Sequence, residues 1–90
     1  MMNVLEVKRL AQDWVEHNAP AWSGLRAAHF VGGVTSLPGS AVFPSYKDLD
    51  MHLIFEDGSP IPDSQSHFMN ILEVSFRGLM IEAGVKRVSD

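Results

Sequence analysis

Nine residues, DLDMHLIFE at 48–56, alternate strictly between two faces. Leu49, Met51, Leu53 and Phe55 fall on one side, and Asp48, Asp50, His52 and Ile54 on the other. Successive side chains of a strand leave opposite faces of its sheet, so this period of two predicts a strand with one face in a core. The same geometry sends Asp48 and Asp50 out together, two residues apart. Carboxylates held that close repel unless one is protonated or a cation lies between them. A divalent ion removes the conflict, and all-oxygen ligation suits Mg2+ or Mn2+. An acidic-x-acidic triple arises about once by chance at this acid content, so its placement at the head of an apolar strand carries the argument.

The flanking segments predict the rest of the fold. Asn3 and Glu6 have the form of a capping box, and Val4, Val7, Leu10, Ala11, Trp14 and Val15 follow at helical spacing. His17, Asn18 and Pro20 supply the stop. Such a helix covers one sheet face, with Trp14 in the core rather than stacked on a ligand. AAHFVG at 27–32 is short, apolar and closed by glycine, and is read as a buried strand. Residues 33–47 hold too many glycines and prolines for a regular element, and DGSPIPDSQSH is a second loop. ILEVSF and LMIEAGV, separated by Arg77-Gly78, form a hairpin. The expected fold is α/β (α+β): a small mixed sheet of three to four strands with an N-terminal helix on one face. It occupies residues 1–90 as a single domain, either whole or the N-terminal part of a longer protein.

A third acid lies in the last apolar run. A charge at Glu82 is costly to bury without a partner. If its strand neighbours DLDMHLIF, Glu82 joins the aspartates, and three acids at one edge can hold metal ions against a triphosphate. Glu73, nearer the turn-rich segment, is the competing choice. Seven basic against eleven acidic residues, without a basic cluster, argue against a surface for nucleic-acid phosphates. Cysteine is absent, which excludes disulfides and thiolate metal sites and fits a cytoplasmic protein. No apolar run approaches the ~20 residues of a membrane span. A three- or four-stranded sheet with one covering helix leaves apolar surface exposed, so a homodimer or other oligomer is expected.

VGGVTSLPGSAVFPSYKDLDMHLIF resembles the signature of the nucleotidyltransferase superfamily, whose fold is that of DNA polymerase β: an apolar strand, a glycine turn, a loop, then Asp-x-Asp opening the next strand. RGLMIEAGV is similar to the strand that carries the third acid in a group of bacterial nucleotidyltransferase-like proteins. The resemblance spans residues 10 to 85, and the glycine and Asp-x-Asp segments are its specific parts. It implies a nucleotidyltransferase-like palm in which Gly32 and Gly33 form the nucleotide-binding turn. Asp48, Asp50 and Glu82 are then the metal ligands and catalytic acids. Val34 follows the glycine pair where the superfamily usually has serine, so the phosphate-binding hydroxyl passes to Thr35 or Ser36. The superfamily's helical region after the palm has no counterpart before Asp90.

The implied activity is Mg2+-dependent transfer of a nucleoside monophosphate from a nucleoside triphosphate such as ATP to an acceptor hydroxyl. The alternative is a catalytically inactive nucleotide-binding or protein-interaction module of the same fold; a third reading is a small interaction domain with coincidental acids. Among the remaining residues, His52 shares the face of the aspartates but reads as a strand histidine satisfied by its neighbours. His29 reads as packed or hydrogen-bonded in the core, Lys47 as an exposed loop lysine, and His17 and His67 have no ligand spacing.

Overall fold

The computed structural model describes residues 2–62 and 70–90. Its architecture is α+β, with one N-terminal helix on a mixed four-stranded sheet and a second, two-stranded sheet beside it. Strand β1 (Met2–Asn3) leads directly into α1 (Val4–Asn18). The capping box is formed: Asn3 Oδ1 accepts from the Glu6 N–H at 2.8 Å, and Glu6 Oε1 accepts from the Asn3 N–H at 3.3 Å. The next two free N–H groups, of Val4 and Leu5, donate to the carbonyls of Ala41 and Gly39. The long loop therefore straps the helix start, and β1 pairs antiparallel with β3 (Val42–Phe43) to complete the strap. The glycines and prolines of residues 33–47 predict no regular element there. A pair of two-residue strands lies below what periodicity can detect.

At its other end α1 stops where His17, Asn18 and Pro20 predict. Pro20 opens a single 3-10 turn, Ala19–Ala21, that redirects the chain towards β2 (Leu25–Phe30). Strands β4 (Leu49–Phe55), β5 (Ile71–Phe76) and β6 (Leu79–Arg87) follow, and the sheet order is β2-β4-β6-β5. β6 lies parallel to β4 and antiparallel to β5, while β2 is antiparallel to β4. The β5–β6 turn falls on Arg77 and Gly78, both at positive φ (49° and 83°). Two consecutive residues of that hand match the twist of a tight hairpin, and Gly78 has no Cβ to oppose it.

The core lies between α1 and one face of the sheet. Val4, Val7, Ala11 and Trp14 meet Leu49, Met51, Leu53 and Phe55 of β4 and Leu79, Ile81, Ala83 and Val85 of β6. Trp14 is buried, as its place on the stripe predicts, and packs edge-on against Trp22, which in turn meets Phe55. β2 departs from expectation. Read as a buried strand, it is an edge strand with Arg26, Ala27, Ala28 and His29 exposed. An apolar run bounded by glycine says nothing about position in a sheet, and α1 lies nearer β5 and β6 than β2. No helix among the described residues is long and apolar enough to cross a membrane. His67 lies outside the described residues.

The core predicts its own sensitivity. Leu53 is fully buried, and Leu53→Ala should lower stability by about 2–5 kcal/mol, read from the urea midpoint. Met80→Ala, on the exposed side of the hairpin, should stay within about 0.5 kcal/mol of the parent.

Candidate functional site

The face of the sheet turned away from α1 gathers the acids. β4 and β6 run parallel with Asp50 opposite Glu82, and β5 places Glu73 opposite Glu82 from the other side. The three carboxylates thus form a row across three adjacent strands, with Asp48 at the mouth of β4. Glu82 is in the middle of this row and directly beside Asp50, whereas Glu73 stands one strand further out. This order favours Glu82 over Glu73 as the partner of the aspartates.

The electrostatics follow from the crowding. Burial first, then the negative charges of Asp50, Asp48 and Glu73, push the Glu82 carboxyl above its ordinary value, and Asp48 lies within hydrogen-bond reach of it. Two carboxylates at that separation call for a shared proton or a cation. The donor set is all oxygen and short of positive charge, which fits magnesium in kind. Among the described residues no three His, Asp or Glu side chains close on a single point as metal ligands. The acids share a face and a field, and holding one ion between them requires their side chains to turn inward.

The glycine turn abuts this row. Residues Gly32–Ser36 form a 3-10 turn, Gly32 at φ 72°, and the Val31 N–H donates to the Asp50 carbonyl. A Cβ placed on Gly32 would stand 3.0 Å from Asp50 Oδ2, so only a bare backbone lets the aspartate lie against the turn. Val34, which follows the glycine pair, is buried in the core and anchors the turn. The exposed hydroxyls of Thr35 and Ser36 donate to the carbonyls of Gly32 and Gly33 at 2.7 and 3.0 Å. They stabilise the turn from within, and contact with a phosphate would redirect those protons.

Two residues carry more than the sequence signal assigned them. Lys47 Nζ lies 3.5 Å from where a Cβ of Gly33 would be, which brings an ammonium to the glycine turn next to the acids. Its position immediately before Asp48 is the only hint in the chain itself. His29 is exposed rather than packed in the core, and faces His52 across β2 and β4 with ring centroids 5.3 Å apart. Burial, Lys86 and His29 hold the His52 imidazole below its ordinary value, against an opposing pull from Asp50. Comparison with protein-family models, curated proteins and solved structures gave no match to this chain.

The two shifts give opposite pH dependences. Glu82, raised on folding, contributes stability below the ordinary 4.5, and that contribution is lost as pH rises through its folded value. His52, lowered on folding, contributes above 6.5 and loses that contribution as pH falls through its folded value. Glu82→Gln should therefore gain stability over the parent as pH rises from 4.5 towards neutrality, in thermal melts without added metal. Parallel melting profiles for the two proteins would show that Glu82 feels no such field.

Proposed function

We propose that this protein is a nucleotidyltransferase that moves a nucleoside monophosphate from a nucleoside triphosphate to an acceptor hydroxyl. One observation carries the reading: the glycine turn touches Asp50, and Glu82 stands in register beside that same aspartate. A phosphate-binding turn and a pair of acids are the two halves of such a site. The parallel β4–β6 pairing sets Asp50 beside Glu82, 32 positions apart in the chain, and the bare backbone of Gly32 lies against the same aspartate.

In this reading the backbone at Gly32 and Gly33 receives the phosphates, and Lys47, whose Nζ lies close to Gly33, offsets their charge. Asp48, Asp50 and Glu82 would hold magnesium, which when bound neutralises the phosphates and polarises the α-phosphorus. The acceptor oxygen forms a bond to that phosphorus as the bond to the bridging oxygen breaks, and pyrophosphate leaves with the electron pair. Glu82, made more basic by burial and by the neighbouring acids, takes the proton from the acceptor hydroxyl.

A second reading keeps the fold and the nucleotide but not the transfer. It draws on the hydroxyls of Thr35 and Ser36, whose protons are engaged within the turn. Pyrophosphate release separates the two, because a binding module produces none.

Ligand-induced stabilisation tests the site itself. A ligand that binds only the native state at a hundredfold excess over Kd adds about 2.7 kcal/mol, so ATP with magnesium should raise Tm by several degrees. Asp50→Asn should be at least as stable without ligand, because a like charge is gone, and should lose the rise. Lys47→Met should keep its fold and show a smaller rise. Asp57→Asn, whose side-chain oxygen can still accept from the Ser89 N–H, should behave as the parent. An Asp50→Asn protein that melts lower and keeps the full shift would make Asp50 a structural residue and end this reading.

A further inference from the structure

Beyond the acids the same sheet face continues as a cavity of about 380 Å³, bordered by Asp50, His52, Asn70, Glu82, Gly84 and Lys86. Its floor is set by one missing side chain. Gly84 is the partner of His52 in the β4–β6 pairing, and a Cβ there would stand 3.0 Å from His52 Cδ2 and 3.5 Å from Nε2. The imidazole therefore rests on bare strand, and a Cβ at residue 84 would require it to shift by a few tenths of an ångström. Asn70 forms a wall that is tied to the floor, since its carbonyl accepts from the Val85 N–H at 2.6 Å.

Charge changes sign along this trough. Asp50 and Glu82 lie at one end, His52 and Gly84 two positions on, and Lys86 two further, opposite Ile54. His29 adds a second imidazole beside His52. Among the described residues Lys86 forms no ion pair: the two present join Arg26 to Glu56 and Arg77 to Asp13. Four strand positions separate Glu82 from Lys86, roughly 13 Å at the rise of a strand. With the reach of a lysine side chain, that spans a small molecule with a hydroxyl at one end and an anionic group at the other.

We infer that this trough is the acceptor subsite, floored by Gly84 beneath His52, and that Lys86 at its far end selects an acceptor carrying a negative charge. The inference rests on the nucleotidyl-transfer reading. It adds to that reading the side from which the acceptor enters and the charge it bears.

Three sugars of one frame test it: glucose 6-phosphate, glucuronate and neutral glucose, titrated by NMR into isotope-labelled protein with magnesium and a non-hydrolysable ATP analogue. The amides of Gly84, Val85 and Lys86 should shift, and at least one anionic sugar should bind about fivefold tighter than glucose, the upper range for an exposed ion pair. Which anion gains more distinguishes a phosphate from a carboxylate acceptor. Lys86→Met should erase the preference, and Lys86→Glu should transfer it to glucosamine. Gly84→Ala should weaken every sugar while the analogue still shifts Gly32 and Gly33. Equal binding of glucose and both anions, or a preference that survives Lys86→Met, overturns the inference while the nucleotide shifts keep the transfer reading standing. Absence of shifts at Gly32 and Gly33 in the parent protein overturns both.

Discussion

The burial of Leu49, Met51, Leu53 and Phe55 beneath α1 is the constraint on which the rest of this molecule depends. A strand alternates with a period of two, so fixing those four residues in the core fixes Asp50 and His52 on the opposite face. A slip of one residue would bury Asp50 among apolar side chains and expose Phe55, at a cost no small domain can absorb. Hydrophobic packing thus aims the carboxylates, although none of them contributes to it.

The parallel neighbour β6 repeats the arrangement. Leu79, Ile81, Ala83 and Val85 enter the same core, which leaves Met80, Glu82, Gly84 and Lys86 on the acid face. Two strands with the same alternation, placed in register, produce paired columns of outward residues. Asp50 with Glu82, and His52 with Gly84, are consecutive rungs of one ladder. The turn at Gly32 closes on the first rung because its lack of a side chain lets Asp50 approach.

Much of this was legible in the chain. The Asn3–Glu6 box, the helical stripe, the alternation of 48–56 and the hairpin at Arg77-Gly78 each rest on local chemistry, and local chemistry is what a sequence displays. The convergence of Asp50 and Glu82 required the added assumption that their strands are neighbours. The misread parts share one cause: they depend on what lies beside an element rather than within it. AAHFVG has the composition of a buried strand, but β2 is an edge, so Ala28 and His29 are exposed. Lys47 reads as a loop lysine until the fold brings Gly33 to it. The strap from 39 to 43 is held by backbone carbonyls that accept from the start of α1, and main-chain bonds of that kind leave no side-chain pattern.

The parallel register of β4 and β6 also bears on how the chain reaches this state. The β5–β6 hairpin needs only a two-residue turn, whereas joining it to β4 must close a much longer loop, so that docking is the slow, non-local step. The same step brings Glu82 alongside Asp50 and sets their charges in opposition. The repulsion among these carboxylates therefore also opposes that docking. Salt, which screens like charges, would ease that step as well as steady its product.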